Sequence, residues 1–167
     1  MSSNSLEQHL GNISEFLSRI FFGLKKDNID VSNYECDHIC YRVETKERYA
    51  ELKLILSQYG ESLGESIING RPIDTFKLKE PIIFDDKVVS CVELPSPKKE
   101  SYYLEGLEHV EFVIDVSFDE FMKKYPDLRF DIGGISKKIN PDIGIKYSGF
   151  SVKFHRNTLE YVKKYLQ

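Results

Sequence analysis

The 167-residue sequence predicts an α+β fold of two βαβββ modules in tandem, preceded by an extra N-terminal helix. Two observations predict it. Apolar spacing switches between a helical period of about 3.6 and a strand period of about 2, in the same order twice, on either side of a proline-bearing linker from Pro95 to Ser101. Histidine also recurs at matching points of the strand patterns, in Asp37-His38-Ile39, Glu108-His109-Val110 and Lys153-Phe154-His155. The expected organisation is one domain over residues 1–167, with a helix over 5–26, a first module over 34–95 and a second over 105–167 that ends in a helix.

Each element has its own signal. Ser5-Leu6-Glu7-Gln8 reads as a capping box, and Leu6, Leu10, Ile13, Leu17, Ile20 and Leu24 form one apolar stripe, with His9 beside it as a structural or exposed residue. From Tyr34 to Glu44 the alternation puts Ile39, Tyr41 and Val43 on one face and His38, Cys40, Arg42 and Glu44 on the other. That polar face either meets water or lines a hydrophilic cavity. Thr45 caps a helix with Tyr49, Leu52, Ile55 and Tyr59 inward, ending near Gly60. Asn69-Gly70 predicts a type I′ hairpin, Asp85-Asp86 a further turn, and Val88 to Leu94 a strand with Val89, Cys91 and Glu93 on one face. In the second half, His109, Glu111 and Val113 share a face, Ser117 caps a short helix, and Gly133-Gly134 and Asn140-Pro141-Asp142 punctuate two strands. Gly149 to His155 is the fourth strand, and Thr158 to Leu166 the closing helix.

Composition narrows the function. Twenty-seven acidic against twenty-three basic residues give a formal charge of −4, with no basic block, which argues against a broad nucleic-acid surface. Cys36, Cys40 and Cys91 lack metal-ribbon or redox spacing and read as reduced thiols. The longest apolar run, Ile20 to Leu24, is too short to span a bilayer, so a cytoplasmic protein is expected, as a monomer or homodimer. No phosphate loop, dinucleotide fingerprint or serine nucleophile elbow is present.

His38, Glu93, His109 and His155 form a candidate metal site, because imidazole and carboxylate at facing strand positions can converge on Fe, Ni, Mn or Zn. Matching Ser90-Cys91-Val92-Glu93 to Val152-Lys153-Phe154-His155 sets Glu93 opposite His155. The plainer alternative is hydrogen-bonded strand histidines with Glu93 paired to Arg42 or Lys153. Arg42 and Arg71 are candidates to clamp a small-molecule carboxylate, since guanidinium offers paired donors. Lys153 is a further polar contact and Glu111 a candidate proton acceptor. Cys40 and Cys91 read as packing residues rather than nucleophiles.

The segments Asp37-His38-Ile39, Ile68-Asn69-Gly70-Arg71-Pro72-Ile73, Val92-Glu93-Leu94-Pro95, Gly106-Leu107-Glu108-His109-Val110-Glu111 and Lys153-Phe154-His155 resemble the vicinal oxygen chelate superfamily, and within it the YecM-like branch. The resemblance implies a cup-shaped mixed sheet around a metal centre, with His38, Glu93 and His109 as ligands and His155 as the fourth. His155 departs from the glutamate commonest at that place. The implied function is metal-dependent lyase, isomerase or dioxygenase chemistry on a small oxygenated or carboxylated molecule. The alternative is a non-catalytic module of the same fold that sequesters a small molecule, since fold alone does not decide function.

Overall fold

The computed structural model describes residues 3–100 and 102–167, the side chains of residues 3–5 excepted. The N-terminal stripe forms two helices rather than one, α1 (Ser3–Leu10) and α2 (Ile13–Lys26). Gly11 adopts φ +81 and Asn12 caps α2 by accepting from Glu15 N, so the chain turns while the apolar stripe stays on the core. The Ser5 side chain of the expected capping box lies outside those described. His9 packs its ring edge-on against Tyr59 at 5.7 Å.

The first module runs β1 (Glu35–Arg42), α3 (Lys46–Tyr59), β2 (Gly60–Ile68), β3 (Arg71–Phe84) and β4 (Lys87–Pro95). Thr45 caps α3 through Arg48 N. Asn69 and Gly70 both take positive φ, +51 and +76, the backbone twist a two-residue hairpin requires. Leu56 is the innermost apolar residue of α3 beside Leu52, whereas Ile55 and Tyr59 pack only partly buried. The second module runs β5 (Gly106–Val113), α4 (Phe118–Lys123), β6 (Asp142–Lys146), β7 (Ser151–His155) and α5 (Leu159–Tyr165).

These strands form one open, mixed, seven-stranded sheet among the described residues, in the order β2-β3-β4-β1-β5-β7-β6. The α+β class and the repeat of strand order both emerge. β1 lies parallel to β4 as β5 lies parallel to β7; β4 is antiparallel to β3 as β7 is to β6. The outermost strand of the second half is reduced to a single bridge, Asp131 to Gly144. Its segment carries Gly133-Gly134 and Pro141, which favour turns over a continuous ladder.

One face of the sheet holds the core. Ile39, Val92, Leu94, Val110, Phe112, Val152 and Phe154 pack there against Leu17, Ile20, Leu52, Leu56 and Phe121 from the helices. β4 changes phase along its length: Val89 joins that core together with Val92 and Leu94, so Val89 does not share a face with Glu93 as simple alternation expects. The opposite face of the sheet encloses a cavity of about 1870 Å³, into which α5 contributes Leu159 and Val162. β1 is therefore covered on both sides, and its polar face meets the interior: His38 is 0% exposed and Cys40 2%.

Candidate metal centre

Strand register sets out the site in two rows. Cys40 on β1 stands between Glu93 on β4 and His109 on β5, and His109 in turn faces Ser151 on β7. One step along, His38 stands between Cys91 and Glu111, and Glu111 faces Lys153. His38 and His109 thus lie diagonally across the β1–β5 seam, their ring centroids 5.9 Å apart.

Two irregularities in that seam shape the chemistry. The ladder passes from Cys36–Phe112 to His38–Glu111, leaving Asp37 as an extra residue on β1; it passes from Cys40–His109 to Tyr41–Leu107, leaving Glu108 as an extra residue on β5. Neighbours on a regular strand point to opposite faces, whereas a bulge re-aims the extra side chain. Asp37 consequently reaches the histidine beside it, with Oδ2 2.8 Å from His38 Nδ1, and Glu108 contacts His109 Nδ1 in the same way. Asp37 Oδ2 also accepts from Leu159 N at 3.0 Å, and Glu108 from the Ser151 hydroxyl at 3.3 Å, so both carboxylates are themselves held.

With Nδ1 engaged on each ring, Nε2 is left as the second nitrogen, near Glu111 on His38 and near Glu93 on His109. One donor atom each from His38, Glu93 and His109 lie within 4.8 Å of one another, with His109 Nε2 3.9 Å from Glu93 Oε1. His38 Nε2 is buried and makes no hydrogen bond, although Glu111 Oε2 approaches to 3.1 Å out of line. An orphaned buried imidazole nitrogen beside a carboxylate and a second imidazole suits a divalent ion. A carboxylate behind each ring nitrogen fixes tautomer and orientation, as metal-binding histidines require.

The electrostatics also favour a cation here. Burial opposes protonation of His38, but Glu111, Asp37 and Glu93 outweigh it and hold its pKa well above the usual value. Burial would raise Glu111, yet His38, His155 and Lys153 keep it well below the carboxylate range. Glu108 is brought down to about 2 against its burial by His109, with Lys153 and Arg42 assisting. Burial pushes the Cys40 thiol well up, reinforced by Glu93, and the Cys91 thiol up to about 12. Both thiols are free and protonated, which fits packing residues.

The remaining candidates separate. His155 lies on the far side of His38, ring centroids 5.7 Å apart, and groups with Asp37 rather than with Glu93 and His109. Its Nε2 is 3.5 Å from Asp37 Oδ2, and its Nδ1 3.4 Å from Glu111 Oε2 and 2.8 Å from Asn140 Nδ2. Register also corrects the strand matching. Glu93 sits two residues beyond the partner of His38, and the residue two beyond the partner of His109 is Lys153, not His155. Burial lowers Lys153, but Glu111, Asp142 and Glu93 prevail and raise its pKa, so it is a fixed cation. Arg42 stacks its guanidinium 4.6 Å over the Tyr103 ring and Arg71 donates to Ser96 O at 3.1 Å, neither in an ion pair among the described residues. Asp37 and Glu108 are the candidate site residues that alternation hides, and their one sequence signal is an acid immediately before histidine in both modules.

Comparison with known proteins places this architecture. A solved structural-genomics protein, EC4020, superposes with a TM-score of 0.73 at 26% identity, covering 95% of this chain and 93% of that one. Two more distant structures share the glyoxalase-like fold: hypothetical protein BH1468 from Bacillus halodurans C-125 (TM-score 0.51, 14% identity, 74% of this chain, 94% of that one), and methylmalonyl-CoA epimerase in complex with methylmalonyl-CoA and NH4+ (0.52, 16%, 75% and 96%). An uncharacterized Haemophilus influenzae protein is 38% identical over 90 residues, 54% of this chain and 47% of that protein's length. Protein YecM of Escherichia coli K12 is 29% identical over 177 aligned positions, 95% of this chain and 93% of that one. No helix among the described residues is long and apolar enough to cross a membrane. The YecM protein family model matches residues 5–165, nearly the whole chain, and the chain therefore belongs to the YecM family.

Proposed function

We propose that the chain is a metal-dependent enzyme of the vicinal oxygen chelate superfamily, acting on a small oxygenated or carboxylated molecule. His38, Glu93 and His109 are the ligands of a divalent Fe, Ni, Mn or Zn ion, and His155 supports His38 and Glu111 from behind. The observation that carries this reading is the grouping of His38 with Glu93 and His109, in which the buried His38 Nε2 makes no hydrogen bond and an acid stands behind each histidine. Bound there, the ion supplies Lewis acidity to an oxygen of the substrate.

The chain's own groups do the rest. Two imidazoles and one carboxylate leave coordination positions open to substrate oxygens. Glu111 accepts the substrate proton at Oε2. Because His38, His155 and Lys153 keep it ionised, it is a ready but weak base, suited to a proton already acidified beside a polarised carbonyl. Lys153 offsets negative charge that develops on the substrate, and burial of the cup floor excludes bulk water.

Elemental analysis of protein purified without added metal or chelator, beside folded His38→Ala and His109→Ala variants, tests the reading. Near-stoichiometric metal in the wild type and loss in both variants is expected. A wild type that binds none after reconstitution would leave ligand sequestration without a metal as the function of the cup.

A further inference from the structure

The cavity is chemically bipolar. Its floor is acidic, with Glu93, Glu108 and Glu111 beside His109. Of its other three lining acids, Glu65 pairs with Lys53, Asp131 with Lys146 and Asp142 with Lys137. In all, ten lysines and arginines line the cavity against six acids, a surplus of four positive charges in a chain whose net charge is −4. The remainder of the molecule holds thirteen basic and twenty-one acidic residues. Positive charge is therefore concentrated at one concave surface of an acidic protein, where low-dielectric walls focus its field.

Two of these cations are preorganised at one end of the sheet. Arg42 is the last residue of β1 and Pro95 the last of the parallel strand β4, while Arg71 is the first residue of β3, antiparallel to β4. Two residues that follow β4 hold these arginines: Ser96 O accepts from Arg71, and the Tyr103 ring lies under Arg42. Tyr103 is in turn anchored by the amide of Lys98, whose hydrogen bond its hydroxyl accepts at 3.3 Å. Arg42 Nε is buried and unpartnered, and neither arginine nor Lys98, Lys99 or Lys46 forms an ion pair among the described residues. Two guanidinium forks held in place without a carboxylate, near unpaired lysines, supply the paired donors that recognition of a doubly charged oxyanion requires.

We propose that the ligand of this cup carries a second anionic group, a phosphate or a further carboxylate, which Arg42 and Arg71 bind at the mouth while its chelating oxygens reach the floor. The proposal rests on the metal-centre reading only for what it says of the ligand's other end. The mouth selects a multiply charged small molecule over a neutral dicarbonyl or diol of the same size.

The test is isothermal titration of metal-free protein with inorganic pyrophosphate, propane-1,2,3-tricarboxylate and neutral glycerol. The variants are Arg42→Gln, Arg71→Gln, His38→Ala and, as a surface control, Lys25→Gln. One of the two polyanions binds and glycerol does not; the preferred polyanion tells phosphate from carboxylate recognition. Each arginine variant weakens that binding by about tenfold or more, Lys25→Gln stays within about twofold, and His38→Ala keeps it. If Arg42→Gln does not fold, Arg42→Lys, which retains charge but loses the fork, reads the same loss. Absence of polyanion binding to the wild type, or arginine variants that bind as the wild type does, overturns the proposal. Metal uptake by the wild type, measured in parallel, reports separately on the floor: a wild type that binds polyanion but takes up no metal sinks the metal reading alone, and one that takes up metal but binds no polyanion sinks this proposal alone.

Discussion

The two halves of the sheet share a strand order and an acid–histidine pair, but they part company one step further along the cup. The first half places Glu93 beside its histidine; the second places Lys153 at the equivalent register. Both halves bulge the seam by one residue, so Asp37 and Glu108 orient their histidines alike. Geometry is thus duplicated while charge is not. One half supplies the carboxylate that completes the His38–Glu93–His109 group, and the other supplies a fixed ammonium that offsets the charge of Glu111.

The sharpest way to break this asymmetry is to make the halves equal. Lys153→Glu converts a repelling cation into a fourth donor, the second anionic one of the set. Two unit charges at about 4 Å interact by about 4 kcal/mol at an effective dielectric near 20, and a screened gain of about 3 kcal/mol, at about 1.4 kcal/mol per tenfold, should raise divalent-metal affinity by on the order of 100-fold. Titration with Zn(II) or Ni(II) against a competing chromophoric chelator reads the change, and Lys153→Gln should give a rise of about tenfold. An unchanged affinity in both variants would mean that Lys153 does not face the metal.

The next largest effect compares the two orienting acids. Asp37→Asn and Glu108→Gln should each weaken metal binding by roughly 10- to 100-fold, because each exchanges a charged, acceptor-only carboxylate for a neutral amide that holds the ring's N–H less firmly and can offer it a donor instead. Asp37→Asn should be the worse, since Asp37 also holds Leu159 N and lies against His155. Equal losses would show that the link to α5 adds nothing to the site.

How much of this was legible before folding follows from the same contrast. The Asn69-Gly70 hairpin, the Thr45 and Ser117 caps and the repeat of elements rest on local chemistry that sequence displays. His38, Glu93 and His109 were legible as partners because a regular ladder carries them to one face. Asp37 and Glu108 were not, because period-two counting turns each away from its neighbour and a bulge has no residue signature of its own. The matching of Glu93 to His155 failed for a related reason. Local apolar resemblance aligned the closing strands, but the β5–β7 ladder sets register, and it places Lys153 there. The split between α1 and α2 was written in Gly11-Asn12, a turn signal masked by an apolar stripe that continues through it.

A smaller effect, of acidity, distinguishes the two histidine surroundings. His38 has its pKa raised, so its contribution to stability is complete below its ordinary 6.5 and is lost as pH rises through the raised value. Glu108, lowered from 4.5 to about 2, contributes fully above 4.5 and is lost as pH falls through about 2. His155, lowered by burial despite Glu111, acts oppositely to His38, giving stability above 6.5 that fades on acidification, but its shift is the smaller. Metal-free protein should therefore melt highest between about pH 4.5 and 6.5 and lose stability on the alkaline side. Metal affinity should run the other way, increasing by up to about tenfold per pH unit as His38 sheds its proton. Calorimetric melting with and without Zn(II) across pH 4 to 9 checks both slopes, and alkaline stabilisation of the metal-free protein would contradict them.

The smallest effect concerns the outer edges, where the halves differ most in form. The first half closes with β2, joined to β3 by a hairpin whose Gly70 needs φ +76; the second closes with the Asp131 bridge. Gly70→Ala forces a side chain into the left-handed region, a cost of roughly 1 kcal/mol. Asp131→Ala removes a 2.8 Å pair to Lys146, with side chains 41% and 76% exposed, and the hydrogen bond from Gly133 N. Such exposed pairs contribute about 0–1 kcal/mol, so urea denaturation should place Asp131→Ala below Gly70→Ala. The reverse order would mean that the single bridge carries the second edge as firmly as nine residues of β2 carry the first.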